Sequence, residues 1–304
     1  MAVEAAHAVA GGQDYPPGTL YAVATPIGNQ ADITLRALHV LSLVDVVACE
    51  DTRHTATLLN TYGLHKPLIA VHQHNEAEAA QGVIARLASG ERVAYVSDAG
   101  TPGVSDPGGR LCAAVRAHGY RCLPLPGASS VTTLVSVAGL SHNAGPAFEF
   151  TGFLPAKGAE REAALRRLTS LNHACVLLES PHRMEALAKA LASLGPRQIT
   201  LGRELTKQFE TVATVACADL PAWLGADPNR LRGEFALVLH PSPPVQPGAE
   251  DGLAADTQRT LALLVAELPL KTAVRLAAEL TGAPRNTLYQ AGLALKDPGA
   301  SGDH

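Results

Sequence analysis

The sequence predicts an α/β fold with two α/β domains, a parallel N-terminal sheet and a mixed C-terminal sheet, followed by a small helical module. Up to residue 240, short apolar runs alternate with stretches whose apolar residues recur at helical spacing, as in βα units around a sheet. A proline-rich segment at 241–255 interrupts this pattern and is typical of a stiff, extended linker. Beyond that segment only helical spacing recurs.

The N-terminal α/β domain, residues 18–130, is predicted to contain five strands, each followed by a polar or glycine-rich break. The predicted strands are Thr19–Ala24, Val44–Ala48, Leu68–Val71, Val93–Val96 and Arg121–Leu125. Asp32 is predicted to cap the helix that follows the first strand. Strands that alternate with helices favour a parallel sheet, and ligands of such sheets bind beyond the carboxyl ends of the strands.

The loop at 97–109, directly after the fourth predicted strand, points most clearly to a binding site. It contains four glycines and two prolines, and a helix is predicted from about 110 to 118 with Asp106 as its cap. Glycines let a ligand approach the backbone, while Pro102 and Pro107 keep the loop from collapsing. The loop lacks the Gly-Lys-Ser/Thr of a P-loop and the glycine spacing of a dinucleotide site. We therefore expect the loop to bind a small molecule that is neither a nucleoside triphosphate nor a dinucleotide.

The C-terminal α/β domain, residues 131–240, combines strands and helices in a less regular order. Its predicted strands are Glu149–Thr151, Ala174–Leu178, Ile199–Gly202, Thr211–Ala216 and Glu234–Leu239. Its predicted helices are Val131–Ala138, Glu160–Leu168 and Met184–Leu194. The last three strands have too little helix between them for regular crossovers, which favours a mixed sheet.

Residues 256–297 are predicted to form a helical module that resembles a helix-turn-helix, with a tail at 298–304. Its predicted helices are Asp256–Glu267, Leu270–Leu280 and Arg285–Leu295, and a glycine-containing turn precedes the last one. The module has no excess of basic residues, so a plain helical hairpin and a nucleic-acid reader both remain open.

Composition narrows the class of protein. With 304 residues and 47% hydrophobic content, the chain is long enough to bury the cores of two domains. The formal net charge of −4 means that any contact with nucleic acid must come from local basic patches. The five cysteines lie singly among apolar neighbours, as buried thiols in a reducing compartment do. We expect a cytoplasmic protein without a membrane span, and a disordered tail at 1–17.

Seven polar motifs occur in order along the chain. They are Thr25–Asn29, Glu50–Arg53, His74–Glu76, Ser97–Gly108, Pro126–Ser129, Glu179–Arg183 and Arg203–Lys207. In these motifs the chain resembles the RNA-modifying branch of the tetrapyrrole methylase superfamily, the bacterial 16S ribosomal RNA 2′-O-ribose cytidine methyltransferases. The likeness covers about Gly18 to His240 and extends to the C-terminal helices of that family. It implies S-adenosylmethionine as cofactor, a homodimer, no metal, and 16S rRNA in the decoding centre of the small ribosomal subunit as substrate.

The resemblance also implies where the ligands bind. The cofactor would lie between the two α/β domains, with Pro26 closing one wall of the cleft. The other cofactor positions carried over are Asp98, Ala99, Gly100, Thr101, Val104, Ser129, Ser130 and Leu178. The substrate positions are Asn29, His74, Asn75, Arg183 and Arg203. Backbone amides, hydroxyls and carboxylates suit a methyl donor that carries no phosphate.

Methyl transfer to a ribose hydroxyl requires an aligned donor and acceptor and a route for the hydroxyl proton. Asp51, Arg53, Glu204 and Lys207 are the catalytic candidates, because each follows the end of a predicted strand. A structural ion pair is the alternative interpretation for Asp51 and Arg53, and an exposed ion pair is the alternative for Glu204 and Lys207.

Two further clusters have a plain and a functional interpretation. His72, His74 and Glu76 suit hydrogen bonding to substrate better than a metal, because sequence spacing alone supplies no complete ligand set. The basic residues of the second domain form either a solvated helix face or a face that follows RNA phosphates, and they are Lys157, Arg161, Arg166 and Arg167.

Two other functions compete with rRNA methylation. A methyltransferase for corrin or porphyrin precursors would need a wide cavity for an acidic substrate and would lack the helical tail. A ligand-sensing regulator would bind duplex DNA through its helix-turn-helix without turnover.

Overall fold

The computed structural model describes residues 2–72, 75–104, 108–140, 147–242, 253 and 255–296. Contacts divide the chain into two compact units, Met1–Pro243 and Pro244–His304. The first unit contains two α/β lobes, each built on a five-stranded sheet. The predicted fold class is confirmed. None of the described helices is long and apolar enough to cross a membrane.

The first lobe is built on a parallel sheet with strand order β3-β2-β4-β1-β5. The strands are β1 Thr19–Val23, β2 Val46–Cys49, β3 Leu68–Ala70, β4 Val93–Val96 and β5 Arg121–Leu125. Every residue of β2 and β4 is buried, which explains their unbroken apolar sequences. The predicted parallel sheet is confirmed, and its loops on the carboxyl side lie at one edge.

Each strand of the first sheet is followed by a helix, and one predicted cap is wrong. The helices are α2 Leu35–Leu43, α3 Thr52–Thr61, α4 Glu76–Ala88, α5 Gly108–Ala117 and α6 Ser130–Val137. Thr34 caps α2 in place of Asp32, because the amide of Ala37 donates to Thr34 Oγ1 at 3.1 Å. Asp32 instead ends a short 3-10 turn at Gln30–Asp32. Asp106, the predicted cap of α5, lies outside the described residues.

The predicted disordered tail at 1–17 is wrong for the part that the structure describes. Ala2–Ala10 form helix α1, whose Ala6 is fully buried. The Tyr15 hydroxyl donates to the Ala10 carbonyl at 3.0 Å and fixes the end of the helix. Alanine has the highest helix propensity, and its small side chain permits close packing against the lobe.

The second lobe contains a mixed sheet with strand order β6-β7-β10-β8-β9. The strands are β6 Phe148–Phe153, β7 Ala174–Glu179, β8 Gln198–Arg203, β9 Thr211–Ala216 and β10 Phe235–Leu239. Strand β6 is parallel to β7, and the other pairs are antiparallel. The predicted mixed sheet is therefore confirmed. The helices are α7 Gly158–Ser170, α8 Pro181–Leu191 and α9 Leu220–Gly225.

The predicted boundary between residues 130 and 131 falls at the start of α6. Val131 and Leu134 of α6 pack with Val176 and Ala236 of the second sheet in one buried cluster. Helix α6 therefore leaves the first sheet at its amino end and packs on the second along its length. It brings the two lobes together at the ends of their strands.

The second unit contains the helices α10 Ala255–Glu267, α11 Leu270–Thr281 and α12 Arg285–Lys296. Their core consists of Leu261, Val274, Ala277 and Leu288. Gly282, in the left-handed conformation with φ 72°, ends α11. The three predicted helices are confirmed. Most of the predicted linker at 241–255 and the tail at 298–304 lie outside the described residues.

Candidate active site

A cavity of about 500 Å³, here called the central cavity, lies where the strand ends of the two lobes meet. Its volume is within the range of small-molecule sites. The first lobe lines it with Ile27, Glu50, Ser97, Asp98, Ala99, Gly100, Thr101, Val104, Ser129 and Ser130. The second lobe lines it with Phe153, Leu178, Glu179, Ser180, Pro181, Gly202, Leu205, Glu234, Phe235 and Ala236.

The glycine-rich loop is held at the floor of the central cavity by the loop after β1. Thr25 and Gly100 exchange two backbone hydrogen bonds of 2.9 and 3.0 Å. The Ser97 hydroxyl donates to the Gly100 carbonyl at 3.0 Å, and the Thr101 hydroxyl donates to the Ala128 carbonyl at 3.0 Å. Gly100 has φ +85°, which a side chain would strain. The loop is thus rigid and offers its backbone to a ligand.

Eight of the nine predicted cofactor residues line the central cavity. The exception is Pro26, which is buried, while its neighbour Ile27 lines the cavity instead. This difference follows from the loop after β1, where Thr25 is bonded to Gly100 and the chain then bends at the half-buried Ile27.

The lining fits S-adenosylmethionine, which has an adenine, a ribose, an amino-acid end and a sulfonium. Ser129 stands at the N-cap position of α6, and its side chain makes no capping hydrogen bond. Its hydroxyl and the first turn of the helix suit a carboxylate. Leu178 and Ala236 supply an apolar wall on the second lobe. At Gly202 a Cβ would lie 2.8 Å from Leu205 and 2.9 Å from Leu134, so this wall is closely packed.

Asp51 and Arg53 form a structural cap at the start of α3. The Asp51 carboxylate accepts hydrogen bonds from the Arg53 and His54 amides at 2.8 and 3.4 Å and pairs with the Arg53 guanidinium at 3.0 Å. The hydrogen bonds from the Arg53 side chain and amide lower the pKa of Asp51 to about 2. Glu50 lines the central cavity, whereas Asp51 and Arg53 are not among its described lining residues. Asp51 reaches the cavity indirectly, because its amide donates to Asp98 Oδ1 at 3.2 Å.

Glu204 and Lys207 belong to an ion-pair cluster beside the central cavity. Lys207 Nζ lies 3.0 Å from Glu204 Oε1 and 3.0 Å from Glu234 Oε2, and Glu234 lines the cavity. Burial opposes the charge of Lys207, but its bonds to both carboxylates raise its pKa above the ordinary value. Lys207 is therefore a stable ammonium group and a poor general base.

The turn that carries this cluster is strained. Glu204 and Thr206 have φ values of +52° and +66°, which residues with side chains rarely adopt. Burial raises the pKa of Glu204, yet hydrogen bonds from the Glu234 amide and from Lys207 outweigh it and leave the pKa below the ordinary value. Strain of this kind persists where surrounding contacts determine the backbone, and it is concentrated at functional sites.

The predicted substrate residues fall into different surroundings. Asn29 lies beside Lys207 in a shallow depression at the rim of the loops. Arg203 lines a separate depression with Phe209 and Arg232. The Asn75 side chain is used locally, because it accepts from the His72 amide at 2.8 Å and donates to the Ala70 carbonyl at 3.0 Å. His74 lies outside the described residues.

Arg183 is held in a buried ion pair. Its Nε lies 3.1 Å from Oε1 of Glu179, whose side chain is fully buried, and its guanidinium also donates to the Leu154 carbonyl. The Ser180 amide donates to the same Glu179 oxygen at 2.9 Å. Arg183 thus ties together the turn after β7 and the end of β6.

Sequence reasoning missed most of the second lobe's contribution to the central cavity. Ser180, Pro181 and Leu205 belong to predicted motifs but are not among the predicted site residues. The lining residues that no motif contains are Phe153, Gly202, Glu234, Phe235 and Ala236. The last three stand at the amino end of β10, which is antiparallel to β7 and β8. Strand direction therefore had to be known before they could be assigned. Within the described part of the chain, no group of three or more His, Cys, Asp or Glu residues is arranged to hold a metal ion.

Two family models match the chain. The model of the tetrapyrrole (corrin/porphyrin) methylases matches residues 19–221, and that of the RsmI C-terminal HTH domain matches residues 251–296. The first match covers the first α/β lobe and the second as far as the start of α9, and it ends before strand β10. The second covers the helical module.

Full-length relatives and solved structures agree with these matches. The chain is 44% identical over 281 residues to Ribosomal RNA small subunit methyltransferase I of Neisseria meningitidis serogroup A, covering 92% of this chain and 94% of the relative. It is 45% identical over 279 residues to the protein of that name from Escherichia coli O157:H7, covering 91% and 95%. Cobalt precorrin-4 methyltransferase shares the fold at a TM-score of 0.56 and 16% identity, over 73% of this chain and 94% of that one. Diphthine synthase has the same TM-score and identity, over 73% and 90%. The chain therefore belongs to the tetrapyrrole (corrin/porphyrin) methylase family and is a methyltransferase that uses S-adenosylmethionine.

Proposed function

We propose that this enzyme methylates the 2′-hydroxyl of a cytidine in 16S rRNA, in the decoding centre of the small ribosomal subunit. The observation that carries the proposal is the match, over 92% of the chain, to relatives named for methylation of small-subunit ribosomal RNA. A second family model, that of the RsmI C-terminal HTH domain, matches the helical module beyond the two lobes. The 2′-hydroxyl and the cytidine are the finer part of the proposal and rest on the seven ordered motifs.

S-adenosylmethionine, when bound, supplies a methyl carbon made electrophilic by its sulfonium. In the transfer, a bond forms from that carbon to the ribose oxygen while the carbon–sulfur bond breaks, and its electron pair stays on sulfur. The hydroxyl proton leaves to solvent or to a carboxylate at the cavity. The chain's own task is to hold donor and acceptor in line within the central cavity.

The four catalytic candidates take positioning roles in this proposal. Asp51 holds Asp98 at the cavity through its amide, and the Arg53 side chain, 91% exposed, is available to an RNA phosphate. Lys207 and Glu204 hold Glu234 at the rim, where its carboxylate borders the acceptor. Ordered carboxylates beside a ribose suit hydrogen bonding to its hydroxyl groups.

We also infer a homodimer in the bacterial cytoplasm. Strand β9 is an edge of the second sheet, and Phe209 and Val212 near this edge are 70% and 42% exposed. Apolar side chains beside an unpaired strand edge favour a protein partner. Sedimentation of the full chain tests the dimer, and a monomer at micromolar concentration would refute it.

The test of function is to map the transferred methyl group. The protein is incubated with S-adenosylmethionine labelled in its methyl group and with small ribosomal subunits, free 16S rRNA, a tetrapyrrole precursor or duplex DNA. We expect label in subunits, in a nucleoside that mass spectrometry identifies as 2′-O-methylcytidine and whose 3′ phosphodiester resists alkali. Label on a base atom or on the tetrapyrrole would refute the proposal, as would binding of duplex DNA without turnover.

A further inference from the structure

Phe153 is an exposed aromatic side chain in the wall of the central cavity. Its residue is 53% exposed, although it lines the cavity. The other aromatic residue among the described lining residues, Phe235, is 4% exposed and packs into the core of the second lobe. A large apolar ring left open in a cavity wall is typical of a surface that a ligand covers.

A β-bulge turns Phe153 toward the cavity. Strand β6 pairs with β7 in register as far as Phe150, and the register then shifts so that Phe153 lies opposite Leu178. Without the extra residue, strict alternation would place Phe153 on the face of the sheet that carries Leu177 and the buried core. The bulge instead places its ring on the same face as Leu178, which also lines the cavity.

The backbone after Phe153 is fixed from the other side. Arg183 donates to the carbonyl of Leu154, the next residue, and is itself held by the buried carboxylate of Glu179. Leu154 is 2% exposed and anchored in the core of the second lobe. The ring of Phe153 is therefore presented on rigid backbone, which lowers the entropic cost of binding against it.

From this placement we infer that Phe153 stacks on the base of the acceptor nucleotide. The inference rests on the proposed function, since a ribose inside the central cavity requires that its nucleotide leave the RNA stack. An unstacked base regains its stacking on an aromatic ring, and a flat apolar ring suits an uncharged heterocycle. The exposed Lys157, four residues further along, supplies positive charge for the neighbouring phosphates.

The test compares Phe153→Ala with the matched variant Phe150→Ala. Phe150 is 37% exposed on the same strand and does not line the central cavity among the described residues. With small ribosomal subunits as substrate, we expect Phe153→Ala to lower kcat/KM by about 10- to 100-fold. Phe153→Tyr should restore nearly all of it, Phe153→Leu should restore little, and Phe150→Ala should stay near wild type.

Calorimetry with S-adenosylmethionine distinguishes stacking of Phe153 on the base of the acceptor nucleotide from stacking on the adenine of the donor. We expect the Kd of Phe153→Ala for the donor to stay within about twofold of wild type. A rise in that Kd that accounts for the whole loss of kcat/KM would overturn the inference and place the ring on the donor's adenine. Equal loss in Phe150→Ala, full activity in Phe153→Ala, or recovery by Phe153→Leu would also overturn it. Absence of turnover by the wild-type enzyme would refute the proposed function itself, and this inference with it.

Discussion

The Asn29 amide donates a hydrogen bond of 3.0 Å to Thr206 Oγ1, and this bond joins the loop after β1 to the strained turn after β8. The two residues lie on different lobes, on either side of the central cavity. The backbone of Thr206 is in the left-handed region, and its side-chain hydroxyl accepts the hydrogen bond from the other lobe. The hydrogen bond thus joins the two walls of the central cavity.

Replacing Gly28 by Ala should disturb this junction. A Cβ at Gly28 would lie 2.5 Å from Lys207 Cγ, 2.9 Å from Thr206 Oγ1 and 3.1 Å from the Leu205 carbonyl, so the two loops must separate. We expect Gly28→Ala to lower the free energy of unfolding by about 1–3 kcal/mol and to weaken binding of S-adenosylmethionine. Denaturant unfolding and calorimetry measure both effects. Gly12→Ala is the control, because its Cβ would meet nothing within 4 Å; equal behaviour of the two variants would contradict the prediction.

A long side chain at Thr101 should block the central cavity. Thr101 lines the cavity and donates to the Ala128 carbonyl, so Thr101→Lys both fills space and breaks this bond. We expect calorimetry to detect no binding of S-adenosylmethionine, while circular dichroism remains that of the wild type. Thr101→Ser keeps the hydroxyl and should bind at nearly wild-type affinity. Unchanged affinity of Thr101→Lys would mean that the donor binds elsewhere.

Removing the ammonium group of Lys207 should lower the free energy of unfolding more than removing the ammonium group of an exposed lysine. Lys207→Met leaves Glu204 and Glu234 without their shared cation, and we expect a loss of about 1–3 kcal/mol in the free energy of unfolding. Lys189 pairs with Glu185 at 2.7 Å on an exposed helix face, so Lys189→Met should cost less than about 0.5 kcal/mol. Denaturant unfolding measures both losses. A loss in Lys207→Met no larger than that in Lys189→Met would contradict the prediction.

The pH dependence of the Lys207 contribution has a definite sign. Its pKa in the folded protein lies above the ordinary 10.5, so the stabilisation is complete below 10.5 and disappears as pH rises through the folded-state value. The difference in stability between wild type and Lys207→Met should therefore shrink on the alkaline side. A difference that shrinks instead as pH falls through the neutral range would show that another group is responsible.

His39 should make the first lobe sensitive to mild acid. It is 5% exposed, its ring lies 5.3 Å from that of His7, and burial and then the charge of His7 lower its pKa below 6.5. The unfolded chain takes up the proton first, so stability is fully present above 6.5 and falls as pH drops toward the folded-state pKa. Thermal unfolding between about pH 5 and pH 8 should show this slope in wild type, and His39→Leu should flatten it. The exposed His65→Gln is the control, and an equal flattening by it would refute the assignment.

The parts of the site that lie close together in sequence could be predicted. Strand β4, the glycine-rich loop and the start of α6 have local signals, and a parallel sheet brings the carboxyl ends of its strands to one edge. This rule and the family resemblance together predict Asp98, Thr101 and Ser129 at the binding site, and all three line the central cavity. Asp51 and Arg53 follow a strand end too, but their spacing also fits a helix cap, and that local interaction is what the structure contains.

Interactions between distant segments could not be predicted. The contact of Lys207 with Glu234 requires β10 to run antiparallel beside β8, and no local pattern specifies that pairing. The role of Arg183 depends on a carbonyl 29 residues away, at Leu154. The bulge that presents Phe153 depends on its pairing with β7, because an added residue is recognised only against a partner strand.

The most direct measurement is a crystal structure of the protein with S-adenosylhomocysteine bound. The expected density lies in the central cavity, against the backbone of 98–101 and the start of α6, with Leu178 and Ala236 on its opposite side. The ring of Phe153 should remain uncovered by the adenine. Density in the depression beside Asn29 or in the one lined by Arg203 would contradict the assignment of the methyl-donor site. A central cavity closed by repacked side chains with no ligand in it would contradict it as well.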